Sequence, residues 1–454
     1  MTNPWDNETV INPGGSGTPL PERKRGNCFM SPLVITMLIL LFTFIALLSG
    51  KLSYGVVGAT IISLLIITGV LDVSEALAGF SNTNVAIMLC MMVLSGALMK
   101  TSLVERIVGL VRNVGHSERA LIAGFGLIAA AMSQFMNAFV AVACLLPLIT
   151  GLCQQLNIKR TKVIYPVMVI ALTWIFLFPV GMGASTIAQM NGYLESFGSE
   201  FRFNMMDMTI GRLPGVILNT LFCIFILPRV CPDKPSVEFR DDLGREVAKS
   251  TLSKPREILC YIIAVVMVVL MILAGTIGIQ VYTVAIVGAS ALTLFGILSE
   301  KEAFQSINFG MVFFFAAILP LSTALTKTGA SDVIADAIIT ILGGSTNPWL
   351  ISTVFVLVCF VATQFLSNTG CVQVFTPLAL MVCVQLNMNP VGIMSLVNIG
   401  CCASYLTPMA NPGIPLTMSA GGYSLKDCIK IGILPGLLIC AIGVVWCSLF
   451  FPAY

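Results

Sequence analysis

The sequence predicts an all-α polytopic membrane protein, arranged as two inverted repeats of five transmembrane spans plus one re-entrant hairpin each. Three observations carry that expectation. Of the 454 residues, 57% are hydrophobic and only 10% charged, where soluble domains run at roughly 25% charged. Mean hydropathy is +0.96. The few charges sit in short stretches between apolar runs of spanning length, and the order of those runs recurs in the second half. A chain this poor in polar residues cannot cover a water-facing surface, which excludes a soluble fold.

The elements follow in order. Residues 1–29 form a polar tail rich in Pro, Gly, Asn and Thr, ending in Glu22-Arg23-Lys24-Arg25 and expected to be disordered. No small-residue cleavage site follows the first apolar run, so a signal peptide is not expected. Asn7-Glu8-Thr9 reads as a chance glycosylation sequon. Apolar stretches then lie at 32–49, 54–71, 84–99, 118–155, 162–196 and 209–229. A span needs about 17 to 25 residues, so 118–155 is of double length and 162–196 is overlong. A polar linker at 230–256 separates this first repeat (30–229) from the second (257–454). There the rhythm returns: 257–275, 280–298, 311–326, a double segment at 347–386, an overlong one at 390–422, and 428–450.

The recurrence extends to single residues. Leu98-Met99-Lys100-Thr101 and Leu325-Thr326-Lys327-Thr328 each end a third span, and short amphipathic stretches at 102–113 and 330–342 follow them. Gln134-Phe135 precedes Pro147 at the same distance at which Gln364-Phe365 precedes Pro377. Gly211-x-Leu213-Pro214-Gly215 matches Gly432-x-Leu434-Pro435-Gly436 at the last span of each half. Three matches in one order indicate internal duplication. If each double segment enters and leaves on one side, the halves face opposite ways, as in many secondary transporters. Placing the linker in the cytoplasm and both termini outside puts 18 of the 24 Lys and Arg inside, which satisfies the positive-inside rule.

Polar chemistry within the apolar runs is confined to four places. The tip of the second hairpin reads Ser367-Asn368-Thr369-Gly370, small oxygen-bearing side chains suited to a sodium ion and followed by a half-helix N-terminus suited to an anion. The first overlong span is interrupted by Gly181 and Gly183, with Ser185 and Thr186 following. The second is interrupted by Thr407-Pro408 and Asn411-Pro412-Gly413. Such paired interruptions mark transporter binding sites. The first hairpin tip carries Asn137-Ala138-Phe139 where the second has Ser-Asn-Thr. A literal Ser81-Asn82-Thr83 opens a span and reads as a helix cap.

The hairpin tip ten residues ahead of Pro377, the Thr407-Pro408 break and the Ala420-Gly421-Gly422-Tyr423-Ser424 run together resemble the divalent-anion:sodium symporters of the ion transporter superfamily. The resemblance runs from about residue 50 to the C-terminus. It implies an elevator-type carrier, a homodimer in the cell membrane, that binds sodium and a di- or tricarboxylate between two tips and two broken helices. It also implies Ser367, Asn368 and Thr369 as substrate ligands, joined by Asn137, Thr186 and Pro412. Sodium falls to Ser367, Asn368, Thr407 and Asn411 at one site, and to Ser133, Asn137 and the backbone around Gly183 at the other.

Other classes lack support. A net charge of +3 offers no basis for nucleic-acid binding, and the single histidine, His116, sits in a charged loop with Glu118 and Arg119. The 15 cysteines show no CxxC or metal-like spacing and read as small membrane hydrophobes. Intramembrane enzymes need paired aspartates, Ser-His or Ser-Lys pairs, or His clusters, and none is visible. No Asp, Glu, Lys or Arg falls at a tip or a break. An anion is therefore expected to meet helix dipoles, hydroxyls, amides and carried cations, with sodium favoured over proton coupling. The expected function is sodium-coupled uptake of small organic anions. A sodium-independent permease or exchanger, for sulfate or other oxyanions as well, is the alternative.

Overall fold

A computed structural model describes residues 30–110, 115, 117–239 and 252–454. The tail at 1–29, His116 and residues 240–251 of the linker lie outside the described residues. All regular structure among the described residues is helical. The first half holds α1 (Pro32–Ser49), α2 (Tyr54–Ile67), α3 (Val73–Leu77), α4 (Thr83–Met99) and α5 (Leu103–Gly109). It continues with α6 (Glu118–Met132), α7 (Ala138–Gln155), α8 (Arg160–Trp174), α9 (Met182–Ser196), α10 (Asp207–Phe225) and α11 (Leu227–Val230). The second half holds α12 (Lys254–Ile277), α13 (Val281–Leu294), α14 (Glu300–Ser306), α15 (Phe309–Thr328) and α16 (Ala330–Ile341). It ends with α17 (Pro348–Ala362), α18 (Asn368–Gln385), α19 (Pro390–Cys402), α20 (Gly413–Gly421) and α21 (Leu425–Phe450).

Both double segments therefore split into helical hairpins, α6–α7 and α17–α18, and both overlong spans break, between α8 and α9 and between α19 and α20. Span ends shift modestly. The run at 54–71 stops helically at Ile67 because Gly69 turns the chain with φ +68°. Asn82 caps α4, its side chain accepting from the Asn84 N–H, so Ser81-Asn82-Thr83 is the helix cap that the sequence suggests.

The two halves engage each other reciprocally. Lys100 ends α4 and pairs with Glu302 of α14 at 2.7 Å, ahead of α15. Lys327 near the end of α15 pairs with Glu75 of α3, ahead of α4. The end of each third span thus lies beside the start of the other, and α4 and α15 run antiparallel. In the same manner α2 packs on α15 and α13 on α4, while α9 packs on α18 and α20 on α7. The Lys100 hydrogen bond, followed by bonds from the Ser299 backbone and side chain, holds Glu302 down to about 2 from an ordinary 4.5. A depressed carboxylate stabilises above its unfolded pKa, so this bridge is complete at neutral pH. Its contribution fades only as pH falls from about 4.5 towards 2.

The connections after the hairpins also repeat. Asn157 and Asn387 take the left-handed conformation (φ +53° and +52°), which asparagine tolerates better than other non-glycine residues. Their next residues fold back in the same way, Ile158 N–H onto Cys153 O and Met388 N–H onto Cys383 O, at 2.9 and 2.8 Å.

Candidate functional site: two glutamine-clasped hairpin tips

Each hairpin unwinds at a hydroxyl residue followed by Gln-Phe, and the buried glutamine fastens the tip to the break of its own half. Gln364 Nε2 donates to Phe360 O (2.7 Å) and to Ala403 O (3.0 Å), and its Oε1 accepts from Leu406 N–H (2.9 Å). Gln134 does the same, donating to Ala130 O (2.9 Å) and Trp174 O (2.7 Å) and accepting from Phe178 N–H (3.2 Å). Unwound backbone leaves such groups short of helical partners; Ala403 O and Trp174 O keep only a turn bond each, from Tyr405 N–H and Leu177 N–H. One amide side chain serves three of them. Sequence reading missed this role, although the recurrence of Gln-Phe was its visible signal.

At the second tip Ser367 caps α18, its Oγ accepting from Gly370 N–H at 3.1 Å. Tyr54 of α2 brings its hydroxyl within 3.2 Å of the same oxygen. Asn368 Oδ1 lies 3.1 Å from Thr363 Oγ1, which also donates to Cys401 O at 2.7 Å. Thr407 donates to Gln364 O. Thr363 thus ties Asn368 of the tip to the Cys401 carbonyl, Thr407 of the break bonds the Gln364 carbonyl, and Ser367 turns its oxygen towards Tyr54. Thr369 follows in the first turn of α18, half-buried. Asn411 is buried further along the break, its Oδ1 accepting from Gly413 N–H at 2.8 Å, and Pro412 is exposed at the cap of α20.

The first tip has the same backbone and different chemistry. Asn137 (φ −64°, ψ 139°) caps α7 as Ser367 (φ −63°, ψ 142°) caps α18, with Oδ1 accepting from Phe139 N–H at 3.0 Å. Ser133 is fully buried and donates to Ala129 O within its own helix at 2.7 Å. Thr186 is half-buried and spends its hydroxyl proton on Met182 O at 3.0 Å. Gly183 lies inside the first turn of α9 rather than in the break, so its carbonyl belongs to the helical ladder. Its role is spatial: a Cβ there would stand 1.9 Å from Phe178 O. The break itself opens earlier, after Trp174, and closes at Gly181.

Gly181 has φ +54° and ψ −114°, a conformation closed to other residues, and a Cβ would lie 3.1 Å from Ser95 Cβ. Ser95 in turn donates to Phe135 O of the first tip at 2.7 Å. Gly181→Ala should therefore cost about 1–3 kcal/mol of strain and loosen the first tip. The expected readout is a lower melting temperature of the purified protein, with uptake reduced but not lost.

One expectation is corrected. Charge does reach the site, from a helix that the sequence places elsewhere. Arg212 of α10 is buried, and its guanidinium donates to Thr173 O and Ile175 O of the first break, both at 3.1 Å. It is the unmatched residue of the Gly211-x-Leu213 repeat, opposite Ile433 in the second half. Sequence distance from the break hid it.

The model of the family described as "Citrate transporter" (CitMHS) matches residues 40–372 and again 283–453. The chain belongs to the citrate transporter family. This membership and the apolar helices make it a multi-pass membrane transporter, of the ion transporter superfamily that its motifs resemble. Among similar proteins, an uncharacterized transporter of Haemophilus influenzae is 24% identical over 424 residues, 89% of each chain. A probable sodium/sulfate cotransporter of Chlamydomonas reinhardtii is 28% identical over 180 residues, 37% of this citrate transporter family member and 20% of the algal protein. The fold resembles the YdaH transporter of Alcanivorax borkumensis, with TM-score 0.61, 11% identity and coverage of 93% and 98%. It also resembles MtrF of Neisseria gonorrhoeae, with TM-score 0.60, 11% identity and coverage of 93% and 96%.

Proposed function

We propose that this transporter carries small organic anions, di- or tricarboxylates, into the cell together with sodium, as a homodimer working by an elevator form of alternating access. The single observation that carries the reading is the pair of side-chain oxygens that Ser367 and Asn368 hold at the start of α18, with Thr407 of the break fastened to the Gln364 carbonyl just ahead of them. Hydroxyl, amide and unwound carbonyl oxygens are hard ligands for a sodium ion, and the positive end of α18 favours an anion beside it. Two inverted halves are supported by the reciprocal lysine pairs at the ends of α4 and α15. Sodium is further supported by the similarity to the probable sodium/sulfate cotransporter of Chlamydomonas reinhardtii.

The alternative, a sodium-independent permease or exchanger that also takes sulfate, draws on the first tip. There Ala138 and Phe139 stand where the second tip has Asn368 and Thr369, so two potential ion ligands are missing. Uptake of labelled citrate, succinate and sulfate into proteoliposomes, each competed by the other two, separates the substrate readings. Citrate or succinate should be taken up and compete for one site. Uptake of sulfate alone would overturn the carboxylate assignment.

A further inference from the structure

We propose that Arg212 is a resident cation of the first break, holding the place of a carried ion there, so that the transporter binds its coupling cation at the second break alone. The inference rests on the sodium-coupled reading above and sharpens it. Buried cations inside a membrane are costly and normally paired. Among the described residues no carboxylate lies within ion-pair distance of Arg212, and its Nε is buried without a hydrogen-bond partner. What it does contact is two carbonyls at the C-terminal, negative end of α8. Carbonyls of unwound backbone are the ligands that a transporter offers to a cation.

The comparison of the two breaks makes the case. The glutamine clasps align Trp174 with Ala403, since each receives a Gln Nε2. Thr173 and Ile175 then correspond to Cys402 and Ser404. In the first break Arg212 covers both of these carbonyls, and Thr209 Oγ1 covers Leu177 O at 2.7 Å. In the second break no donor among the described residues reaches the carbonyls of Cys402 or Ser404, and the buried Ser404 hydroxyl has no partner. The residue at Arg212's register is Ile433, which has no charge to give. The half that keeps a cationic side chain on its break is also the half whose tip lacks the oxygens of Asn368 and Thr369. Two independent losses and one gain therefore point the same way. Arg212 also leaves a standing positive charge at the first break, which an anion would otherwise need a second carried cation to obtain.

The test uses the full chain in proteoliposomes, with initial citrate uptake measured against sodium concentration. Wild type should give a Hill slope of about 1, one coupling site. Arg212→Gln uncovers the first-break carbonyls and should raise the slope towards 2 and weaken half-saturation by sodium several-fold. Arg212→Lys, which restores the charge, should return the wild-type slope. A wild-type slope near 2, or an unchanged sodium response in Arg212→Gln, overturns the proposal. Should Arg212→Gln fail to fold, as judged by aggregation in size-exclusion chromatography, the wild-type slope and the lysine variant decide alone. If wild-type uptake ignores sodium, the coupling reading fails instead. Thermal melting then tests Arg212 directly: sodium should stabilise Arg212→Gln and not wild type, and equal responses overturn the proposal.

Discussion

Asn368→Ala is expected to abolish carboxylate uptake while leaving the protein in the membrane in normal amounts. The side chain faces Thr363 across 3.1 Å at the opening of α18, and its removal takes an oxygen from the tip without opening the apolar core. Losing a hydrogen-bonding group that meets a charged ligand is worth about 1.5–3 kcal/mol, or roughly tenfold to more than a hundredfold in affinity. Ser367→Ala should fall in the same range, since Ser367 both caps α18 and faces Tyr54. The equivalent change at the first tip, Asn137→Ala, should be milder, because the neighbouring Ala138 and Phe139 offer no side-chain oxygen to a shared ligand. Labelled-citrate uptake, normalised to protein recovered in the vesicles, measures all three. Wild-type rates in both Ser367→Ala and Asn368→Ala would remove the second tip from the site.

Gln364→Leu is expected to be the most damaging single change to the architecture of the site. It leaves the Ala403 carbonyl and the Leu406 N–H without the partner that bridges tip and break. The Leu406 N–H loses its acceptor, at about 1–3 kcal/mol, while the Ala403 carbonyl keeps the Tyr405 N–H and loses only the bridging bond. Purified Gln364→Leu should melt well below wild type and show no uptake. Gln134→Leu should destabilise to a similar extent, since it serves the same three kinds of group. A melting temperature within a degree or two of wild type in both variants would contradict the clasp.

The fold was legible because its signals are local and repeated. Length and apolarity locate the spans. Excess length locates hairpins and breaks, and glycine and proline locate the discontinuities near Gly181 and Pro412. The second tip was legible because three polar residues stand together inside an apolar run. The first break was less so. Its opening at Trp174 follows from tertiary hydrogen bonds of Gln134, and nothing in residues 170–176 breaks a helix by composition. Gly183 looked like part of the interruption, yet it serves to let Phe178 O approach α9. Arg212 was the largest omission, because a contact between α10 and the first break spans 37 residues of sequence. Only the mismatch of Arg212 with Ile433 between otherwise matching motifs signalled it.

The central claim is that an anion and sodium meet at the second tip and move together. Citrate uptake into proteoliposomes, driven by an imposed inward sodium gradient and repeated with the gradient collapsed by a sodium ionophore, tests it most directly. The account predicts accumulation above equilibrium that vanishes with the gradient. Equal uptake with and without the gradient would contradict it.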